Sequence, residues 1–248
     1  MQGPSFRGNF FWGVNDAEAF ERSLMGLVDA AKVKAGWFWG DNLIAFARNL
    51  GFLDDQRFMQ AWQTHAQTPM ERGILWRTAT LHWALRQALR REGDLVELGC
   101  YKGTTARILL DAVDLGDRQY FLYDVFDSDP AAPEHRKMAE HSPGLFEQVT
   151  QRFAAFPNVR VIKGAVPGSF AQGLPGKIAF AHVDMNNAPA EIGALEAMEH
   201  RLVPGAVIVL DDFGAIPYRE QHVAEKAWFA ERGVPVLELP TSQGLAIW

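Results

Sequence analysis

Three aspartates, Asp184, Asp211 and Asp212, each stand at the end of an apolar run. Ala181-His-Val-Asp184-Met-Asn-Asn187 ends one run, and Val207-Ile-Val-Leu-Asp211-Asp212-Phe-Gly ends the next. If the runs are adjacent parallel strands, their carboxyl ends face the crevice where open α/β sheets bind ligands. The three carboxylates then lie close together, and they repel one another unless a cation or a proton neutralises them. Oxygen-only ligands suit Mg2+, which prefers octahedral coordination and keeps some of its waters. Solvated loop acids, one of them capping the following helix, fit the pattern equally well. His182 alternates onto the same strand face as Asp184. That makes it a candidate base, although a satisfied histidine in a buried strand is the plainer reading.

A second set of residues points to a nucleoside. Asp94-Leu-Val-Glu97-Leu-Gly99-Cys-Tyr101-Lys-Gly103-Thr-Thr reads as a strand, a glycine loop and a helix start. Gly99 permits the sharp turn, and Gly103 lets backbone approach a ligand. The helix N-terminal amides that follow favour a carboxylate or phosphate. Glu97 can accept from a ligand ammonium, and Tyr101 sits within the loop as a further contact. Tyr120-Phe-Leu-Tyr-Asp124 then ends in an acid that can hold both ribose hydroxyls of a nucleoside. Either feature alone is common. A dinucleotide dehydrogenase would share both, but it more often carries G-x-G-x-x-G, which is absent here.

The elements that must position these residues follow from periodicity. From Asp94 onward, short apolar runs alternate with helical patterns. The predicted strands are Leu95–Gly99, Tyr120–Asp124, Arg160–Lys163, Ile178–Asp184, Ala206–Asp211, Pro235–Leu239 and Leu245–Trp248. Helices are predicted over Thr104–Asp114, Gly144–Ala155, Pro189–Leu202 and Tyr218–Arg232. Such alternation predicts a Rossmann-like, doubly wound α/β sheet of seven strands. Pro240 to Gly244 is too short for a parallel crossover, so the last two strands form an antiparallel hairpin. The irregular stretch from Asp127 to Pro143 reads as a mobile loop near the site.

Residues 1–92 read instead as a helical extension or cap, ahead of a domain at 93–248. Asn15 with Glu18 resembles a capping box, and Thr68-Pro69-Met70-Glu71 is a stronger helix start. The helix it opens is expected to reach about Arg91 and stop at Gly93. Six of the eight tryptophans fall in this region. Core packing and a dimer interface account for them more simply than an aromatic lid does.

Composition excludes several classes. With 48% hydrophobic residues the chain is not disordered. No apolar run approaches the ~20 residues of a membrane span. A net charge of −6 without a basic block disfavours nucleic acid. The single cysteine, Cys100, rules out an internal disulfide framework, and no secretory signal is readable, so a cytoplasmic protein is expected.

The glycine loop, the Tyr-Asp strand end, Val183-Asp184, Leu202-Val-Pro-Gly-Ala-Val-Ile-Val-Leu-Asp-Asp-Phe-Gly214 and the tail Leu239-Pro-Thr-Ser-Gln-Gly244-Leu together resemble the macrocin O-methyltransferase family. The resemblance runs from about Thr68 to the C-terminus. It implies an S-adenosylmethionine-dependent methyltransferase that uses Mg2+ and methylates a hydroxyl of a small acceptor such as a sugar. On that resemblance Asp184, Asp211 and Asp212 are metal ligands, and Glu97, Gly99, Gly103 and Asp124 contact the cofactor. One departure stands out. The family's general base is an aspartate two residues after the first metal ligand, and here that position is Asn186. The lysine that catechol O-methyltransferases carry one residue later is also replaced, by Asn187.

The implied chemistry is in-line displacement of the sulfonium methyl by an acceptor oxygen, oriented and acidified by the metal. Without an acid at 186, three routes stay open: metal activation alone, His182, or a loop residue such as His141. A nucleoside-cofactor enzyme of another class and a catalytically degenerate methyltransferase fold are the rivals. Relief of the like-charge cluster further predicts that Asp211→Asn leaves the metal-free fold unchanged or slightly more stable.

Overall fold

The computed structural model describes residues 3–127 and 138–248. Residues 128–137, most of the stretch expected to be a mobile loop, lie outside the described residues. The chain divides into two compact units, Met1–Ala79 and Thr80–Trp248.

The first unit is not purely helical. It contains β1 (Phe6–Arg7), α1 (Ala17–Ala30), β2 (Phe38–Gly40), β3 (Leu43–Ala45), α2 (Gln56–His65), α3 (Pro69–Gly73) and the start of α4 (Leu75–Ala88). The three strands form a small sheet in the order β1-β2-β3. Asp41 and Asn42 turn β2 into β3 with φ of 51° and 58°. Two left-handed residues in a two-residue loop match the twist of a hairpin, and Asp and Asn tolerate that conformation. The α1 cap is Asp16, not Asn15: its carboxylate accepts from Ala19 N at 2.9 Å. Thr68 and Glu71 do form the expected capping box. The helix it opens is interrupted at Ile74 (ψ 19°), next to Gly73, a poor helix former, and resumes only as far as Ala88. Trp37, Trp39 and Trp62 are buried here, as core packing requires, whereas Trp12 is 46% exposed.

The second unit is the predicted α/β sheet. Its elements after α4 are β4 (Asp94–Leu98), α5 (Thr104–Ala112), β5 (Tyr120–Asp124), α6 (Leu145–Arg152), β6 (Val159–Lys163), β7 (Ile178–Val183), α7 (Ala188–Met198), β8 (Leu202–Leu210), α8 (Arg219–Glu231), β9 (Val236–Glu238) and β10 (Gly244–Ile247). The seven strands lie in the order β6-β5-β4-β7-β8-β10-β9. β10 is antiparallel to both its neighbours, and the pairings β6-β5, β5-β4, β4-β7 and β7-β8 are parallel. Every residue of β5 and β7 is buried, as expected of parallel strands covered on both faces. Chain order reverses direction across the sheet at β4, between β5 and β7. That switch point is where such sheets open a crevice at the strands' carboxyl ends. No described helix is long and apolar enough to cross a membrane.

Candidate active site

Gly99 opens the loop after β4 with φ +87°, and a Cβ there would lie 1.8 Å from the Asp184 carbonyl oxygen. Its side-chain position is therefore filled by the backbone at the end of β7. The loop and the first acidic strand end are in direct contact. Tyr101 (φ 48°) and Gly103 (φ 68°) are also left-handed, and Gly103 is the N-cap of α5. A Cβ on Gly103 would meet the Phe153 ring at 2.6 Å, so this glycine makes room for a neighbouring side chain.

Asp124, at the end of β5, is 7% exposed. It accepts from Tyr101 N and from Phe126 N, each at 2.7 Å. Burial raises its pKa, partly offset by the Phe126 amide and by His141. His141 Nε2 lies 3.5 Å from Asp124 Oδ1 and has no hydrogen-bond partner among the described residues. Its Nδ1 accepts from Met138 N at 3.2 Å, so the neutral ring carries its proton on Nε2. A buried carboxylate facing an unsatisfied N–H, beside a glycine loop, is a donor and acceptor set that fits a ribose.

Glu97 lies within the sheet at β4. It is 1% exposed and accepts a short hydrogen bond from the Tyr120 hydroxyl. Its other oxygen lies 3.7 Å from His182 Nδ1, directly across the β4–β7 register. His182 Nε2 lies 3.5 Å from Asp211 Oδ1. Burial opposes charge on the ring, but the Asp211 and Glu97 carboxylates outweigh it and raise the His182 pKa well above its usual value. Asp211 Oδ1 also accepts from Gln243 Nε2 at 2.7 Å, and Gln243 in turn accepts from Thr241 at 2.9 Å. A polar line thus crosses the buried sheet from Tyr120 to Thr241. Sequence reasoning missed Tyr120, Thr241 and Gln243, because each is assigned to the line only by strand order.

One oxygen or nitrogen each from His182, Asp184 and Asp211 lies within 4.8 Å of the others. This group differs from the expected one in a single member, with His182 where Asp212 was expected. Two carboxylates and an imidazole that gives up its proton to the ion suit a divalent first-row cation. Asp212 instead adds to the effect of burial, the larger cause, in raising the pKa of Glu191 on α7 and Glu225 on α8. Asn186 (φ 55°) places its amide nitrogen 3.5 Å from Asp184 Oδ1, and its Oδ1 is buried with no partner among the described residues. That orphan oxygen can accept a hydrogen from a bound hydroxyl, but it cannot remove the proton.

Burial pushes the Glu191 pKa up to about 7 from 4.5. The folded state therefore holds this proton more tightly than the unfolded chain does. The associated stability is complete below about 4.5 and is lost as pH rises through about 7. The raised His182 acts in the same direction, but its share is lost only above about 6.5. The melting temperature of the metal-free protein is expected to fall across that window, and Glu191→Gln should flatten the fall. An identical pH slope in the variant, followed by calorimetry, would contradict this.

Residues 96–213 match the family model of a methyltransferase domain. The match runs from β4 past the end of β8 and contains both acidic strand ends and the glycine loop. No curated protein matches the chain. Among solved structures, the O-methyltransferase NovP aligns at 19% identity and a TM-score of 0.57, over 70% of this chain and 79% of that one. The calicheamicin methyltransferase CalS11 aligns at 14% identity and a TM-score of 0.60, over 96% and 95%. A Podospora anserina methyltransferase with S-adenosylhomocysteine bound aligns at 13% identity and 0.51, over 94% and 96%. At these identities the likeness is one of fold. Residues 96–213 are thus similar to a methyltransferase domain, and the sheet they belong to is Rossmann-like.

Proposed function

We propose that this protein is an S-adenosylmethionine-dependent O-methyltransferase of the macrocin O-methyltransferase kind, acting on a hydroxyl of a small acceptor such as a sugar or natural product. The observation that carries this reading is the contact of Gly99 with the Asp184 carbonyl. It brings the loop that would hold a nucleoside against the acids that would hold an acceptor. NovP and CalS11 support the O-methyl assignment, CalS11 being described as a TDP-rhamnose 3'-O-methyltransferase.

When bound, S-adenosylmethionine supplies an electrophilic methyl group and a divalent cation supplies charge stabilisation for the acceptor oxygen. The chain does the rest. Asp124 and His141 would hold the ribose hydroxyls, and Asp184, Asp211 and a deprotonated His182 would hold the cation. Gln243 fixes the orientation of Asp211, which matters because a ligating carboxylate held by a neighbour loses less freedom on binding. Asn186 Oδ1 would accept the hydrogen of the acceptor hydroxyl and orient it. Neither asparagine can serve as base, so the proton passes to solvent or to a carboxylate at the site.

Calorimetric titration tests the cofactor. S-adenosylmethionine and its demethylated product are expected to bind at micromolar affinity. Asp124→Ala should weaken binding by roughly 1–3 kcal/mol, the range for truncating a charge-assisted hydrogen-bond partner. Tighter binding of NAD than of either sulfur nucleoside would sink the assignment.

A further inference from the structure

Glu191 is an unusual residue to find fully buried, and the sequence gives no hint of its role. It is 0% exposed, in the first turn of α7. Its Oε1 accepts from Met185 N at 3.0 Å and from Asn186 N at 3.1 Å. These successive amides belong to the turn that leaves β7, where Asn186 adopts φ 55°. Successive amides converging near a left-handed residue make an anion-binding concavity, and here the chain fills it with its own carboxyl group. On the other side of the same turn, the Asp184 carbonyl occupies the space above Gly99. The turn is therefore gripped between the cofactor loop and Glu191.

The remaining oxygen, Glu191 Oε2, and both oxygens of Glu225 meet no hydrogen-bond donor among the described residues. Glu225 is also 0% exposed, on the adjacent α8. Burial and the neighbouring Glu191 raise the Glu225 pKa, while a hydrogen bond from Glu225 lowers that of Glu191, so a proton held on Glu225 and shared with Glu191 supplies the missing donor.

We propose that Glu191 is a positioning residue of the methyl-transfer reaction: by holding the Met185 and Asn186 amides, it sets Asp184 and Asn186 against the cofactor loop. The inference rests on the methyltransferase reading above. Glu191 touches neither cofactor nor acceptor. It acts through the turn. An arm of the right length is needed, because one oxygen must reach two amides at once.

The test compares Glu191→Gln, Glu191→Asp and Leu195→Ala. Gln keeps an acceptor at full length and offers Glu225 an N–H, so it should retain turnover, S-adenosylhomocysteine affinity and slow exchange of the Met185 and Asn186 amides. Asp is too short to span both amides. It should speed exchange at those two positions and lower kcat by roughly 100-fold, the scale for misplacing reacting groups by about 1 Å. Leu195 is equally buried on α7 but makes no contact of this kind. Its truncation should lower the melting temperature while leaving kcat and those two amides near wild type. Hydrogen exchange is read by mass spectrometry on the whole protein, without metal or acceptor. Unchanged exchange or unchanged kcat in Glu191→Asp overturns the proposal, and so does an equal loss of kcat in Leu195→Ala. A wild-type protein that binds no S-adenosylhomocysteine overturns the methyltransferase reading instead, and the exchange measurement still reports whether Glu191 holds the turn.

Discussion

Gly99→Ala is expected to abolish cofactor binding and to cost several kcal/mol of stability. Two effects add. The backbone is left-handed at φ +87°, which costs an L-residue about 1–2 kcal/mol. The new methyl would also sit 1.8 Å from the Asp184 oxygen, where β4 and β7 are fixed in register and neither can retreat. Overpacking a rigid site adds about 1–3 kcal/mol. Against a total stability of about 5–15 kcal/mol this is a large fraction. Gly116→Ala separates the two effects, because Gly116 is also left-handed (φ +58°) but has nothing within 4 Å of its Cβ position. It should show the strain without the clash, and it should bind S-adenosylhomocysteine normally. Urea unfolding with ligand titration reads both. Equal midpoints for the two variants would mean that the loop and the acidic strand end are not in contact.

The second large effect concerns the acids. Asp184→Asn and Asp211→Asn are each expected to lower turnover roughly 100-fold or more, with cofactor affinity nearly unchanged, because several kcal/mol of transition-state stabilisation depends on the charge they hold in place. A chelator should do the same to the wild type. Full turnover in chelator would defeat the metal-dependent mechanism and leave the fold standing. Asp212→Asn is the discriminating variant. The group of His182, Asp184 and Asp211 predicts a smaller loss for it, and a loss equal to the others would restore the trio read from the sequence. The structure also reverses the expected effect of Asp211→Asn on the metal-free fold. Asp211 faces the imidazole of His182 at 3.5 Å and Gln243 at 2.7 Å, so its charge is compensated, and removing it should destabilise the fold. Asn186→Asp adds a carboxylate beside Asp184. A gain on a sugar hydroxyl would identify a missing base as the limit on rate, and a loss would assign Asn186 the orienting role.

The alternation of apolar runs and helical patterns after Asp94 determined the α/β sheet, because periods of 2 and 3.6 leave a record in any chain that buries one face of each element. The short Pro240–Gly244 connection determined that the last pairing is antiparallel. Chain order could not determine that β10 lies between β8 and β9, since that is settled by which edges remain unpaired once the sheet assembles. In the first unit the helical reading missed Phe38-Trp39-Gly40-Asp-Asn-Leu-Ile-Ala45. The Asp41-Asn42 pair was the available signal, but strands of three residues or fewer carry too little periodicity to outweigh their helical surroundings. At the site, strand-end acids were legible because a parallel strand delivers its last residue to the crevice. Side-chain identity alone could not show what each acid faces. That Glu97 stands opposite His182 inside the sheet follows only from the register with β7. Glu191 and Glu225 stand on two different helices, and only the packing of α7 against α8 buries them together. Ionisable groups record their charge in the sequence, whereas their neighbours, and so their protonation and role, are decided by the tertiary fold.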